Sequence, residues 1–418
     1  MKKINTLIIA ALAAIGAALT SCSEDKLGET IFDATDYPLD RSVYTFPLDT
    51  FVKKNFLEPY NLKYIYRMED IGSDMQKNLV PASYEKSQQL AVLVKYLWLD
   101  IYKKLAGEEF LKQNCPRIIH VIGSPAYNSD GSRTVGEAEG GLKVSLMNAN
   151  TLNVANIEGV NGLNNLFFHT MHHEFGHILD QTHLRPQAFN TMSTGLYDAV
   201  GWADKSDSLQ AGLGFVTPYA SSQVGEDWVE VLSCYVTYTD RDWYRLLETA
   251  HFDWEEVDMT ATHYDSLFYN YNEQGKRMGR KTTYDIDTIG YFRETANGEE
   301  KCVRKVVART PEDWVIVDDN GHYTISTTAD NIDGRDMILQ KLDLVRGWLK
   351  DNWNIDIDEL RKEVQQREYV FDENGNYKLD SRGSYINRLT YPVSEGSTTT
   401  LMDTLLEEIE KYKTLQTK

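Results

Sequence analysis

Two histidines four positions apart, with a glutamate directly after the first, constrain this chain more than any other stretch: His173-Glu174-Phe175-Gly176-His177. On a helix, residues four apart stand one turn apart on the same face, so both imidazoles can address one divalent cation. Glu174 lies beside that face, where its carboxylate can reach a water on such a cation without binding the cation itself. Leu163, Phe167, Met171, Phe175 and Ile178 recur at steps of three and four through the same segment. That periodicity predicts a helix over about 162–179 with an apolar face to bury. The pattern therefore demands a folded body around it.

Two imidazoles do not complete a zinc site, which takes three protein ligands and an open position for water. Two candidates for the third ligand are open. His183 gives His173-x-x-x-His177-x-x-x-x-x-His183, the metzincin spacing, with Met192 as a candidate Met-turn. It requires the helix to bend sharply at Asp180, where glycine would be the easier residue. Glu226 is the other candidate, on a helix predicted over about 226–238, as in gluzincins. Glu230 lies one turn beyond Glu226, placed to accept a hydrogen bond from a ligand imidazole and fix its tautomer. Tyr219, in Thr217-Pro218-Tyr219-Ala220-Ser221, supplies a phenol for an oxyanion opposite the cation. His169 and His172 read as packing residues, or as residues that orient a ligand.

The order His173-Glu174-Phe175-Gly176-His177, then Tyr219-Ala220-Ser221, then Glu226-Asp227-x-x-Glu230, resembles the zinc-binding metallopeptidase lipoproteins of the Bacteroidota, commonly found beside outer-membrane nutrient-uptake genes. It is also similar to the catalytic domain of anthrax lethal factor. The resemblance spans about residues 80–245, and the later helices around 348–367 fit it too. It implies a zincin-like α+β fold with a small mixed sheet. It further implies His173, His177 and Glu226 as Zn2+ ligands, Glu174 as general base and Tyr219 as oxyanion partner. The expected activity is that of a zinc metalloendopeptidase acting on a peptide or protein substrate. The competing expectation is a non-catalytic surface binding lipoprotein of a nutrient-uptake complex.

The N-terminus addresses location. Lys2 and Lys3 precede an apolar run from Leu7 to Leu19, too short to span a membrane comfortably. Leu19-Thr20-Ser21-Cys22 then resembles a lipobox, so residues 1–21 read as a lipoprotein signal peptide and Cys22 as the acylated residue. Ser23-Glu24-Asp25 resembles the acidic tag of surface-exposed lipoproteins, and residues 22–40 read as an acidic linker to an outer-membrane anchor. The remaining cysteines, Cys115, Cys234 and Cys302, are odd in number and have no CxxC pairing, so they read as buried small hydrophobes.

The rest of the chain divides by periodicity. Leu90, Leu93, Val94, Leu97, Ile101 and Leu105 predict a helix over about 84–106, stopped by Gly107. Ile118–Ile122 reads as a buried strand and Asn128–Gly136 as turn-rich. Leu142, Val144 and Leu146 alternate with polar residues, predicting a half-buried strand. That strand either adds a substrate backbone to its edge or is an ordinary member of the sheet. We assign 41–263 to the catalytic domain. Residues 264–328, with Asn297-Gly298 and Asn320-Gly321 turns, read as a β-rich insertion. Residues 329–418 read as a C-terminal helical part packing on the catalytic domain, with helices over about 335–351 and 357–367. No repeat of fixed period is expected. A formal charge of -20 makes phosphate backbones poor partners, which argues against nucleic-acid binding.

Overall fold

The computed structural model describes residues 39–68, 79–127, 133–134, 136–139, 142–159, 161–257, 269–274, 277–280, 291–296, 299–305, 316–317, 323–324 and 332–416. The signal segment, Cys22 and nearly all of the acidic linker lie outside these residues, as do the Asn297-Gly298 and Asn320-Gly321 turns.

Helix α1 starts at Phe46–Val52 with Pro47 in its first turn, where a missing N–H costs nothing. It continues through a π turn, Lys53–Leu57, and ends at Glu58–Tyr60. Strand β1, Lys63–Ile65, follows. Helix α2 runs Tyr84–Val94, widens into a π turn at Lys95–Leu99 and finishes at Asp100–Ala106, as its periodicity predicts. The Ser83 hydroxyl accepts the Lys86 N–H at its start, and Gly107 closes it at φ 90°, a conformation glycine adopts freely. Helix α3, Glu108–Asn114, leads into β2, Ile118–Val121.

Strands β3, Gly136–Glu139, and β4, Lys143–Leu146, complete a four-stranded sheet in the order β1-β2-β4-β3. β1, β2 and β4 run parallel, and β3 is antiparallel to β4. Two expectations change here. β4 lies between β2 and β3, so both its edges are occupied and it has none to offer a substrate. It is also not half-buried in the expected sense: Leu142 is 63% exposed, whereas Ser145 is buried with Val144 and Leu146. Interior strands of parallel sheets are covered on both faces, which alternation alone does not reveal. The turn-rich reading of 128–136 is corrected in part as well, because Arg133–Thr134 forms a strand that pairs with Ala126–Tyr127, and Gly136 opens β3.

Helix α4 combines a π turn, Asn164–Phe168, with the regular helix His169–Thr182. Its apolar residues Leu163, Phe167, Met171, Phe175 and Ile178 are all buried. Phe175 inserts edge-on among Trp98, Tyr102 and Phe110, with ring centroids 5.1, 4.8 and 5.7 Å away. Steps of four drift by about 40° around an α-helix, and a π turn takes up that drift. Both α2 and α4 carry step-of-four runs and both contain such a turn. Helices α5, Val224–Thr237, and α6, Asp240–Ala250, follow.

Nearly all described residues of 264–328 lie in strands, with a turn at 273–274. β5, Trp254–Val257, pairs with β7, Glu299–Lys305, which pairs in turn with β6, Tyr291–Ala296. The β-rich sheet thus recruits a strand from before residue 264. Helices α7, Gly334–Trp353, α8, Ile357–Glu368, and α9, Leu401–Glu410, contribute Leu342, Trp348, Leu360 and Leu405 to the core that also holds α2 and α4.

Between α8 and α9 an eight-residue unit occurs twice in tandem, a duplication not expected from the sequence. Phe371-Asp372-Glu373-Asn374-Gly375-Asn376-Tyr377-Lys378 is followed by Leu379-Asp380-Ser381-Arg382-Gly383-Ser384-Tyr385-Ile386. Asp372 and Asp380 each accept two backbone N–H groups in equivalent turns. Gly375 and Gly383 sit at φ 82° and 80°. Successive passes hydrogen-bond through Val370, Lys378 and Ile386, and the Tyr377 and Tyr385 rings stack at 4.2 Å.

α8 is tied to α4 by a buried carboxyl. Asn164 Nδ2 donates to Glu368 Oε2 at 3.0 Å and to the Thr237 carbonyl at 3.2 Å. Glu368 Oε1 has no hydrogen-bond partner, so burial, with Glu158 nearby, raises its pKa from 4.5 to about 8. Between those two values the folded chain keeps a proton that the unfolded chain releases, so stability falls as pH rises through that window. We expect Glu368→Gln to abolish this decline, an effect on the order of a few kcal/mol at pH 8. Melting temperatures of both proteins at pH 5 and pH 8 check it, and parallel losses in the two would contradict it.

Candidate metal centre

α4 and α5 cross where Gly176 faces Val229. A Cβ on Gly176 would lie 2.9 Å from Val229 Cγ1, closer than real contacts allow. The crossing brings the first turn of α5 under the His173/His177 face of α4. His173 Nε2 lies 3.0 Å and His177 Nε2 3.2 Å from the same oxygen, Glu226 Oε2. One ligand atom from each of these three residues falls within 4.8 Å of the other two. The Gln223 amide donates to the other oxygen, Glu226 Oε1, at 3.1 Å and so aims the carboxylate.

The remaining partners decide the protonation of His173. Glu230 Oε1 lies 2.7 Å from His173 Nδ1 and 2.7 Å from His169 Nε2, and Glu230 Oε2 accepts from Thr217 Oγ1 at 2.6 Å. Burial alone would raise the pKa of Glu230, but His169 and His173 beside it push it well below the ordinary range. Glu230 is therefore an acceptor only, and His173 Nδ1 carries the hydrogen. Burial would lower the pKa of His173, but Glu226 and Glu230 raise it to about 10, so Nε2 also carries a proton, directed at Glu226, which a metal ion would displace. Burial likewise opposes ionisation of Glu226, and the two imidazoles overcome it and lower its pKa. The proton on His173 supplies the positive charge among these three atoms, and a divalent cation would take its place. Two nitrogens and one oxygen make a donor set that suits zinc, so the residues fit that ion.

Glu174 is raised above the ordinary carboxylate range, chiefly by burial and against the pull of His173 and His177. The Tyr219 ring stacks over His173 with centroids 5.9 Å apart, and the residue stays 38% exposed. Burial and Glu226 raise its pKa, so the phenol keeps its proton and remains a donor. His172 points into the core, where its Nδ1 lies 2.9 Å from Tyr102 Oη and burial holds its pKa down at about 3.

The metzincin alternative is not supported. α4 stays helical through Asp180, whose carboxylate accepts the Arg185 N–H at 2.7 Å and pairs with the Arg185 guanidinium. His183 follows the helix end, packs on Trp353 at 4.9 Å and accepts the Trp348 indole N–H on its carbonyl. It lies among the aromatics of α7 and not with His173 and His177. Sequence reasoning missed Gln223, Thr217 and the exact work of His169. None carries a spacing rule, because each acts across α5 from a loop or from one turn up α4. Cys115 and Cys234 are buried and free, as expected, while nothing is described of the Cys302 side chain.

Residues 42–358 match the family described as "Putative zinc-binding metallo-peptidase". The chain belongs to this family. It is also similar to a solved structure, that of a "putative zinc-binding metallo-peptidase" from Bacteroides caccae. The two share 30% sequence identity with a TM-score of 0.51, covering 77% of this chain and 91% of that one. No match was found among curated proteins. Within this metallopeptidase family's α+β fold, the two helices that cross at Gly176 carry the whole donor set.

Zinc content should follow that geometry. Gly176→Val must push α5 away from α4, and Glu226→Ala removes an oxygen donor, so both should bind zinc at least about tenfold more weakly. His183→Ala should match the parent protein. Metal analysis after dialysis measures all three, and loss of zinc only in the His183 variant would move the centre elsewhere.

Proposed function

We propose that this protein is a zinc-dependent endopeptidase held at the cell envelope by a lipid on Cys22. The observation that carries the hydrolytic reading is the convergence of His173, His177 and Glu226, with Glu174 directly after His173 and Tyr219 stacked over the His173 ring. A zinc ion bound there would polarise both the attacking water and the scissile carbonyl.

The chain's own groups perform the remaining steps. Glu174, held above the ordinary carboxylate range, takes the proton from the attacking water and returns it to the leaving amine. Tyr219 keeps its phenolic proton and donates it in a hydrogen bond to the tetrahedral oxyanion, an interaction worth about 3 kcal/mol. Glu230, buttressed by His169 and Thr217, keeps the His173 ring in one tautomer throughout. The substrate backbone lies along β3 and not along β4, because β3 pairs with β4 on one side and, among the described residues, with nothing on the other. A free edge of this kind accepts an extended peptide through main-chain hydrogen bonds.

Location rests on the residues before the folded body. Lys2-Lys3, the apolar run and Leu19-Thr20-Ser21-Cys22 support export and acylation, and the acidic residues after Cys22 support outer-membrane, surface-facing attachment. Among the described residues no helix is long and apolar enough to cross a membrane. A membrane partner would then be reached through the lipid, with a nutrient-uptake complex as the proposed neighbour.

Glu174→Gln should retain zinc and lose at least about a hundredfold in peptide cleavage. Tyr219→Phe should also retain zinc and lose about a hundredfold in kcat. Undiminished cleavage by the Glu174 variant would refute the base assignment, and a zinc-loaded parent inert towards a broad peptide library would favour the binding role. Cys22→Ser should move the protein from the membrane fraction to the soluble fraction.

A further inference from the structure

Tyr219 has a second aromatic neighbour that the chemistry above does not use. The Trp202 ring meets it edge-on, with centroids 4.8 Å apart and planes at 65°. Trp202 belongs to a turn that is pinned to the site at several points. Tyr197 Oη donates to Asp227 Oδ2 at 2.9 Å, one residue along from Glu226. The Asp198 N–H donates to the Ser221 carbonyl at 2.8 Å, two residues past Tyr219. Asp198 Oδ1 accepts the N–H groups of Gly201 at 2.8 Å and Val200 at 3.3 Å, closing the turn on itself. The turn is thus a fixed shelf. At its rim Val200 is 91% exposed, and Trp202 is half-buried.

Exposing valine on a well-tied turn costs solvation and wins no packing in the chain itself. Resting on the peptidase reading, we infer that Trp202, with Val200 at the rim, forms an apolar subsite that selects peptides with a large apolar or aromatic side chain next to the scissile bond. A carbonyl oxygen held by Tyr219 puts the flanking side chain within reach of the Trp202 ring, which borders Tyr219. Trp202 is accordingly a specificity-determining residue, and it also positions Tyr219 by closing one side of its ring.

Peptidyl hydroxamates, which grip zinc directly, separate this subsite from the hydrolytic reading because binding needs no turnover. We would titrate the full-length zinc-loaded protein with two matched series, one carrying a phenylalanine or leucine side chain beside the hydroxamate and the other serine or aspartate. The parent should bind the apolar series at least about tenfold more tightly. Trp202→Ala should erase that ratio with zinc content unchanged, and Trp202→Phe should restore most of it. Equal affinity of the parent for both series, or a ratio that survives in Trp202→Ala, would overturn the subsite alone. Failure of the parent to bind any hydroxamate would overturn the peptidase reading together with it.

Discussion

The crossing of α4 and α5 at Gly176 and Val229 is the contact on which the rest of the centre depends. A helix pair separated by one more methyl group would carry Glu226 away from the two imidazoles and Glu230 away from His173. The close approach is held from both sides. In front, Glu226 and Glu230 are drawn to α4 by His173, His177 and His169. Behind, Asp227 on α5 is paired with the fully buried Lys341 of α7 at 2.7 Å and bonded to Tyr197. Lys341 also donates to the Gly214 carbonyl at 2.7 Å and lies 4.3 Å from the Phe215 ring. A buried pair of this kind adds little net stability, but it becomes costly if either partner is lost. The C-terminal helices are therefore part of the centre's foundation, although none of their residues reaches the ligands.

The electrostatics of the site follow from how unevenly its charges are housed. Three carboxylates, Glu174, Glu226 and Glu230, sit within a few residues of each other in space, on a chain with a formal charge of -20. Two of them are ionised because histidines compensate them, and the third is pushed towards its neutral form by burial. The difference in surroundings suits three residues of the same type to the three roles proposed for them, ligand, orienting group and base. A dication in the midst of the ligand atoms is the natural counter-charge for such an arrangement.

Much of this was legible in the sequence. The four-residue spacing of His173 and His177 placed both on one helical face and put Glu230 one turn beyond Glu226, whereas Tyr219, in a separate short turn before α5, was reached through the family resemblance. The choice between Glu226 and His183 was not legible, because it turned on whether α4 would break at Asp180. Asp180 instead caps the following turn through Arg185, and the helix runs on to Thr182. The two-sided burial of β4 was hidden because alternation reports one face at a time. The octapeptide coil was written out in Asp-x-x-Gly-x-Tyr, but a motif repeated only once gives no period to detect. Trp202 was silent for a different reason: a lone tryptophan between two motifs carries no spacing at all.

The π turn at Asn164–Phe168 holds one residue more than an α-turn of the same rise, immediately ahead of the motif helix. Wound instead as a plain α-helix, the same residues would swing everything upstream by about 100° around the axis. Asn164 would leave Glu368 and the Thr237 carbonyl, and the loop before it would lose its seat, while the stretch from His169 onward stayed in phase. That spare residue works as a rotary offset: it lets the buried entrance to the helix and its metal-facing half be set at independent angles.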